Sequence, residues 1–444
     1  MVRILVYVIA VVGGIGIAVW LADHPGTVTL EWQGWRLDTT VPVLLLLLVL
    51  LTGVLAVLWR LLGLLWALPH RMHQRHGERR RRRGYAALSA GFAAIAAGDA
   101  GRATKMANEA GRRLGDPETS LLLQAQAAEL SGDGTAVRKY YGLLRANPVT
   151  EMIGLKGLIT EAHRTGQHDQ VLDLARRAVT VQPVDWAVRA LFKALVREHR
   201  WADAGAALAH NHRTHAFKPH EAERYQIVLD TQQALEADAA GDRRTALRLT
   251  RRVLRKEAGM VPASLLAARL YHVEGKTRKA AGVVEDAWRR TPHPGLAQAY
   301  FDIWPGDDAL KRTQRAERLA VRNPDHPEGR LMVAGAALEA HLWGQARSQL
   351  APLLAAEVPP QRAVALMARL EQLEHDDATT TANVWLQRVS MASPDAGWRC
   401  RNCGTDTAQW GACCAHCDGF DALAWVAAPS RALSRRTERT RAVT

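Results

Sequence analysis

The 444-residue chain has no cysteine outside residues 400–417, where all five of its cysteines lie. A disulfide framework would distribute cysteines along the chain, so this clustering argues against one and indicates a metal site in a reducing compartment. Cys400 and Cys403 form one C-x-x-C pair, and Cys414 and Cys417 form a second pair. Four thiolates at this spacing are typical of a tetrahedral structural site, most often for zinc, with iron as the other metal that such a site accepts.

The remaining cysteine, Cys413, leaves the identity of the third ligand undecided, because its thiolate could bind the metal in place of Cys414. We favour Cys414, since only Cys414 gives the second pair the C-x-x-C spacing. Gly404 and Gly419 follow the two pairs and suit turns in which backbone N–H groups point at the sulfurs. We predict a small four-cysteine metal-binding ribbon over residues 398–426, folded by metal binding because so short a segment buries little apolar surface. A redox-active dithiol is the alternative interpretation.

Sequence motifs for catalysis are also missing. The chain has no glycine-rich phosphate loop followed by Lys-Ser/Thr, no G-x-S-x-G turn and no H-E-x-x-H pair. His210, His212 and His215 lie close together, which is compatible with a metal or haem site. Their spacing does not place them on one face of a helix, so we interpret the segment as a polar connector. We predict that the protein is not an enzyme and has no catalytic residues.

Charged residues are absent from two long apolar runs, residues 4–22 and 41–58. Each run is long enough to cross a hydrocarbon core of about 30 Å at about 1.5 Å per helical residue. A cleaved signal peptide is the alternative for the first run, but no small-x-small cleavage site follows it. Residues 26–40, between the runs, alternate polar and apolar side chains around Gln33-Gly34, a pattern that predicts a β-hairpin.

A block of arginines follows the second run, within residues 69–84. Lys and Arg beside a span stay on the cytoplasmic side, so we predict a two-helix transmembrane hairpin over residues 1–68, with spans at about 4–22 and 41–60 and both termini cytoplasmic. We expect anionic lipid headgroups to contact Arg71, Arg75, Arg79, Arg80, Arg81, Arg82 and Arg83. A second basic segment, residues 429–444, is predicted to be a disordered tail. These two segments hold most of the formal net charge of +14, so no nucleic-acid partner is expected.

Between residues 85 and 392 the chain reads as a series of paired helices rich in alanine, leucine and arginine. Prolines punctuate this series at intervals of 32 to 35 residues, from Pro148 to Pro183 and again along Pro292, Pro324, Pro359 and Pro394. Self-similarity near 34 residues predicts a tetratricopeptide-type α-solenoid of about nine units, irregular around residues 215–260 and 294–310. A helical bundle with accidental spacing is the alternative.

The two helices of each predicted pair are joined by short polar turns that contain glycine. Examples are Gly166-Gln167-His168-Asp169 and Leu342-Trp343-Gly344-Gln345. Small residues should lie where paired helices cross closely, at Gly154, Ala175, Gly335 and Ala346. The predicted fold class is therefore all-α, with a transmembrane hairpin, a solenoid that offers a groove and no chemistry, and the small four-cysteine metal ribbon.

The order of these features resembles the HemY family of bacterial inner-membrane proteins. The resemblance rests on Asp23-His24-Pro25-Gly26, Trp32, the membrane-proximal arginines, and the alanine-rich helix that Tyr85 opens and Gly98-Asp99 closes, and it is best over residues 1–115. It implies an inner-membrane protein with a cytoplasmic solenoid that takes part in late haem synthesis. In that role it would scaffold haem-pathway enzymes as its protein partners.

The C-terminal cysteine pairs are similar to the rubredoxin-like metal domain of LapB. That protein is a membrane-anchored tetratricopeptide adaptor that controls lipopolysaccharide synthesis through regulated proteolysis. LapB has a single anchor, so the two apolar runs of this chain depart from its pattern. A scaffold for haem-pathway enzymes and an adaptor for envelope lipid synthesis therefore stand as two hypotheses, and neither is catalytic.

Overall fold

The computed structural model describes residues 12–16, 19–20, 23, 26–32, 34–114, 117–374 and 379–426. The predicted first span at 4–22 lies largely outside these residues, and the predicted tail at 429–444 lies wholly outside them. The chain divides into two compact units, residues 1–140 and 141–444. Most of the described residues are helical, as predicted.

Unit 1 begins with the predicted β-hairpin. Strand β1 (Thr27–Trp32) pairs antiparallel with β2 (Trp35–Thr40), so that Trp32 stands opposite Trp35. The turn needs a left-handed residue, which Gly34 supplies with a φ of 83°. The prediction from the alternating pattern is therefore confirmed.

The long helix α1 (Val41–Ala96) follows β2 directly. Its segment Val41–Leu61 has a mean hydropathy of 3.0 and contains no residue that is buried inside the structure, so it is a candidate membrane span. The helix then continues without a break through residues 69–84, which we had expected as a separate basic segment. The second predicted span is thus a helix, whereas the two-helix hairpin stays a prediction.

The end of α1 packs against α2 (Ala100–Arg113) and α3 (Pro117–Ser131) within unit 1. Small side chains allow close approach, since a Cβ atom on Gly91 would lie 2.6 Å from Leu123 Cδ2. Asp99 caps α2 by accepting a hydrogen bond of 2.9 Å from the Arg102 N–H. Helix α4 (Gly134–Ala146) runs across the boundary between the two units.

Unit 2 is a series of helix pairs. The first helices of the pairs are α5 (Glu151–Arg164), α7 (Asp185–Arg197), α10 (Pro219–Ala239), α12 (Val261–Val273), α14 (Pro294–Asp302), α16 (Pro327–Glu339) and α18 (Gln361–Glu374). The second helices are α6 (His168–Val181), α8 (Trp201–Leu208), α11 (Arg243–Lys256), α13 (Thr277–Arg290), α15 (Ala309–Ala320), α17 (Trp343–Leu354) and α19 (Thr379–Val389), and the short α9 (Asn211–Thr214) follows α8.

The first helices begin at a nearly constant spacing of 33 or 34 residues, which is the tetratricopeptide period. The exception is a 42-residue step from α10 to α12, because α10 has 21 residues. This step lies in the region that the sequence indicated as irregular, and the nine-residue α14 accounts for the second irregular region. The paired-helix prediction is confirmed for the described residues of unit 2.

Three turns inside the pairs of unit 2 use glycine in the left-handed region, at Gly166, Gly241 and Gly275, with a φ of 70° at Gly166. Two turns use histidine instead, at His199 and His341, with φ values of 54° and 58°. Each of these rings packs on a tryptophan two residues later, and the ring centroids of His341 and Trp343 are 5.0 Å apart. Our expectation of a glycine turn at Gly344 was therefore wrong, since Gly344 lies inside α17.

Three of the four small residues predicted at helix crossings are closely packed. Ala175 and Ala346 have no exposed surface, and a Cβ atom on Gly154 would lie 2.6 Å from the Tyr141 carbonyl oxygen. The prediction was wrong for Gly335, because a Cβ atom there would meet nothing within 4 Å.

Unit 2 ends in a small antiparallel sheet of β3 (Gly397–Cys400), β4 (Asp406–Thr407) and β5 (Leu423–Val426), in the order β4-β3-β5. We call residues 397–426 the knuckle domain. Its sheet and the β1–β2 hairpin depart from the predicted all-α class, which holds for the solenoid. All of these strands are short. The alternating pattern of residues 26–40 specifies the hairpin, whereas turns and cysteine spacing specify the sheet of the knuckle domain.

The close approach at Gly154 predicts a strong effect of one methyl group. Gly154→Ala should lower the free energy of unfolding by about 1–3 kcal/mol, because its Cβ would meet the backbone of α4. The measurement is the thermal midpoint of the full chain by circular dichroism. Gly142→Ala is the matched control, since its Cβ would meet nothing within 4 Å and alanine favours a helix. Equal midpoints for the two variants would contradict the packing described here.

Candidate functional site

The knuckle domain positions its cysteines on two tight turns. Cys400 ends β3, and its carbonyl accepts a hydrogen bond of 2.9 Å from the Gly404 N–H, where the chain turns through a φ of 76°. In the second turn the Cys414 N–H donates to the Gly419 carbonyl at 3.0 Å. Each turn therefore directs a C-x-x-C pair toward the same point.

The four sulfurs of Cys400, Cys403, Cys414 and Cys417 all lie within 4.8 Å of one another. The Sγ atoms of Cys400 and Cys417 are 3.6 Å apart, and those of Cys403 and Cys414 are 3.8 Å apart. A tetrahedral ion with metal–sulfur bonds of about 2.3 Å requires sulfur separations of about 3.8 Å. The cluster therefore has the size and donor set of a four-thiolate metal site.

Cys413 lies apart from this cluster. Its side chain packs against the solenoid core that contains Phe192. Its backbone forms an isolated antiparallel β-bridge with Phe420. Burial, together with nearby Asp418, raises the pKa of the Cys413 thiol to about 12. A thiol that resists ionisation and faces away from the other sulfurs is a poor ligand, which favours Cys414 as the third donor.

Backbone and hydroxyl donors favour ionised sulfur at the first cysteine pair. The N–H groups of Cys403 and Asn402 lower the pKa of Cys400. The hydroxyl and N–H of Thr405 lower the pKa of Cys403 to about 6. Thiolates are the form that binds metal, so the first turn prepares the sulfurs of Cys400 and Cys403 for a cation.

The knuckle domain is docked on the first helices of four consecutive pairs, α7, α10, α12 and α14. Phe420 inserts among aromatic rings of the solenoid, with its centroid 5.5 Å from that of Phe192 and 5.3 Å from that of Tyr225. Phe217 completes this group, 5.2 Å from Phe192. Edge-to-face pairs of this kind add to the stabilisation from apolar burial.

An ion-pair network lies beside the aromatic group. Arg224 of α10 donates from Nη2 to Asp421 of the knuckle domain at 2.9 Å and from Nη1 to Glu257 at 2.8 and 2.7 Å. The Asp421 side chain is only 10 % exposed, so this charge is largely desolvated. We call Phe192, Phe217, Arg224 and Tyr225 the cradle.

The other edge of the knuckle domain rests on the start of α14. Trp425 lies 4.0 Å from His293 between ring centroids, and Trp398 lies beside both rings. His293 Nδ1 accepts from the Gly295 N–H at 2.9 Å, and burial with nearby Arg362 lowers the pKa of His293 to about 4. The imidazole is therefore neutral, and it caps α14 as a structural group.

Two cavities lie over α12, α14, α16 and α18. One of about 610 Å³ has mainly apolar walls from α12, α14 and the knuckle domain, including Trp398 and Trp410. The other, of about 700 Å³, lies over α14, α16 and α18, where no part of the knuckle domain lines it. We call the second one the groove.

The groove combines apolar and charged side chains. Phe301, Leu331 and Met332 line it together with Gly335, whose missing side chain leaves its floor open. Arg369 is exposed at its edge. Clefts of this size with apolar walls and a few charges are typical binding surfaces.

The remaining residues singled out from the sequence lie elsewhere. Asn211, next to the three histidines, holds the connection between α9 and α10. Its Oδ1 accepts a hydrogen bond of 2.7 Å from the Phe217 N–H. His212 lies in the short helix α9, His210 and His215 flank it, and in the described part of the chain these histidines join no metal-binding group. Arg79 to Arg83 are exposed on α1, and Arg71 and Arg75 lie on the same helix.

Sequence reasoning missed the docking of the knuckle domain. One signal was present: a segment of about 30 residues carries Trp398, Trp410, Phe420 and Trp425, more aromatic surface than so short a chain can bury alone. Such a surplus indicates that another part of the protein covers these rings.

A relative covers nearly the whole chain. The chain is 28% identical over 419 residues to the probable magnetosome protein Mms48 of Magnetospirillum gryphiswaldense, covering 91% of this chain and 89% of that protein. Residues 26–132 match the family described as HemY protein N-terminus. This stretch includes the candidate span, the arginine block and helices α2 and α3.

Solved structures with similar helix pairs are distant. The TPR2AB domain of yeast Sti1 in complex with an HSP90 peptide is 11% identical with a TM-score of 0.29, covering 69% of this chain and 98% of its own. A tetratricopeptide repeat protein from Parabacteroides merdae is 11% identical with a TM-score of 0.28, covering 54% and 93%. Scores this low add nothing to the repeat assignment, which rests on the helix spacing. The N-terminal match agrees with the sequence resemblance to the HemY family over residues 26–132, and the helix spacing shows that unit 2 is built of tetratricopeptide-type helix pairs.

Proposed function

We propose that this protein is a membrane-anchored, non-catalytic scaffold that holds enzymes of late haem synthesis together at the bacterial inner membrane. The observation that carries the proposal is the HemY match over residues 26–132, which contains the candidate span and the start of the helix pairs. A tether of this kind raises the local concentration of the proteins bound to it.

The partner surface in this proposal is the groove over α14, α16 and α18. Its floor is open at Gly335, and its walls offer apolar side chains beside the exposed Arg369. Helix pairs supply surfaces rather than reactive groups, which supports binding of protein partners over catalysis. The proposed partners are haem-pathway enzymes.

The proposed orientation places both termini and the solenoid in the cytoplasm. Arg71, Arg75 and the exposed Arg79 to Arg83 lie beyond the candidate span on the same helix and would then be on the cytoplasmic side, where anionic headgroups attract them. A reporter enzyme fused after Thr444 should therefore be active in the cytoplasm, and one inserted at Gly34 should be active outside it. A Thr444 fusion that is active only outside the cytoplasm would refute the orientation.

The proposed ligands of the metal are Cys400, Cys403, Cys414 and Cys417, and the proposed metal is zinc, with iron as the other candidate. The sulfur separations near 3.8 Å support a tetrahedral ion. When bound, the metal would supply folding energy to the knuckle domain and no chemistry.

The metal proposal predicts a clear difference between two sets of variants. The purified full chain should contain about one zinc or iron per molecule, and Cys400→Ser with Cys403→Ser should lose it because two ligands are removed. Cys413→Ser is the matched control and should keep the metal, since Cys413 lies outside the sulfur cluster. Elemental analysis by mass spectrometry measures both, and metal retained in the double variant would exclude the site.

The scaffold proposal predicts a loss of flux without loss of any single enzyme. A deletion strain should accumulate porphyrin intermediates, because the enzymes lose the raised local concentration that the scaffold provides, while each pathway enzyme assayed alone keeps its activity. Gly335→Leu should reproduce this phenotype, because a Cβ atom at this position would meet nothing within 4 Å and the rest of the leucine side chain would occupy the groove. Porphyrins are measured by fluorescence after extraction.

A matched control separates the groove from general damage. Gly344→Leu adds the same side chain to the second helix of the same pair, where a Cβ atom also meets nothing within 4 Å. This variant should behave as wild type. Normal porphyrin levels in the deletion strain, together with altered lipopolysaccharide, would instead support the LapB-like adaptor, which the four-cysteine knuckle domain favours as the second candidate function.

A further inference from the structure

We infer that the knuckle domain is a metal-dependent latch: bound metal holds it on the cradle, and loss of the metal releases it and exposes the cradle to solvent. The inference rests on the metal site proposed above and adds a link from that site to a surface of the solenoid. The cradle lies on and beside α7 and α10, whereas the groove lies over α14, α16 and α18, so the inference does not depend on which partners bind in the groove.

The first step is the position of the docking residues relative to the sulfurs. Phe420 and Asp421 follow directly on the turn that carries the second cysteine pair. The Cys414 N–H donates to the Gly419 carbonyl at 3.0 Å, and the Asp421 N–H donates to the Ala412 carbonyl at 2.8 Å. One short loop therefore carries two sulfurs on one side and both docking side chains on the other.

The second step is that this loop is not stable by itself. Asp418 and Asp421 have φ values of 53° and 48°, in the left-handed region that costs free energy for residues other than glycine. The knuckle domain has a very small core of its own, consisting of Cys400, Cys414, Ala422 and Leu423. In sites of this kind the binding free energy of the metal is the folding free energy, so the loop should lose its shape with the metal.

The third step is that the cradle can stay folded both with the knuckle domain docked and with it released. If Asp421 leaves, Arg224 keeps both oxygens of Glu257 at 2.8 and 2.7 Å, so no unpaired buried charge remains. The rings of the cradle also contact one another, with Phe217 5.4 Å from Tyr225. Release of the knuckle domain therefore leaves a formed surface and does not require the solenoid to unfold.

Thermodynamic linkage predicts a second measurable property of the latch, an effect of docking on metal affinity. If metal binding favours docking, docking must favour metal binding by the same factor. Arg224 lies on the solenoid, outside the knuckle domain, yet it should influence how tightly the metal is held. A knuckle domain that folds independently of the solenoid would show no such effect.

The direct test is hydroxyl-radical footprinting of the full chain in detergent, first loaded with zinc and then stripped with a chelator. Modification of Tyr225 should increase about three- to tenfold on stripping, because Phe420 and Asp421 no longer cover it. Tyr300 is 1 % exposed in the solenoid core and should stay unmodified, which reports that the helix pairs remain folded.

The outcomes of this test are distinguishable. A chain that binds neither zinc nor iron refutes the metal site and with it the latch. A chain that binds zinc, loses it to the chelator and keeps Tyr225 protected refutes the latch alone and leaves the metal site standing. Increased modification of Tyr225 with unchanged Tyr300 supports the latch.

The linkage test compares zinc retention in two arginine variants against a competing chelator. Arg224→Gln should weaken zinc binding about tenfold, because the charge-assisted bonds to Asp421 are lost. Arg255→Gln removes the same charge from an exposed position of α11 and should bind zinc as wild type does. Equal zinc retention in both folded variants would contradict the latch, and the footprinting of the unmodified chain decides the question if Arg224→Gln does not fold.

Discussion

The stacking of helix pairs is the constraint on which the rest of unit 2 depends. A pair of short amphipathic helices cannot bury its apolar face alone, so each pair must pack on the next. Leu155 of α5, Ala178 of α6 and Ala187 of α7 show this, since they form one buried cluster across two pairs. Because this packing repeats at a nearly fixed period, the first helices come to lie side by side on one face.

That face serves two purposes along its length. The knuckle domain covers α7, α10, α12 and the start of α14, through Phe420, Trp410 and Trp425. Beyond it, α14, α16 and α18 form the groove that the proposed partners would use. The knuckle domain needs this register, because its aromatic residues are spaced to meet four helices whose positions the repeats determine.

The two small β elements are stabilised in different ways. The β1–β2 hairpin precedes the candidate span and is closed by its own backbone pairs and one left-handed glycine. The knuckle domain has four sulfurs at its centre and covers its aromatic rings with the solenoid. The first is therefore specified locally, whereas the second is incomplete without the rest of unit 2 and, in our proposal, without a metal.

Local patterns in the sequence determined the helix pairs, the β-hairpin, the apolar run at 41–58 and the four cysteines that come together, because each depends on periodicity or short spacing. Only the tertiary structure decided that Cys413 faces the solenoid, that His341 forms a turn expected of Gly344, and that Gly335 opens a groove. The position of Cys413 and the docking of the knuckle domain depend on contacts between residues far apart in the chain, as between Arg224 and Asp421. Such contacts leave no periodic signal, because packing of whole elements rather than neighbouring residues selects them.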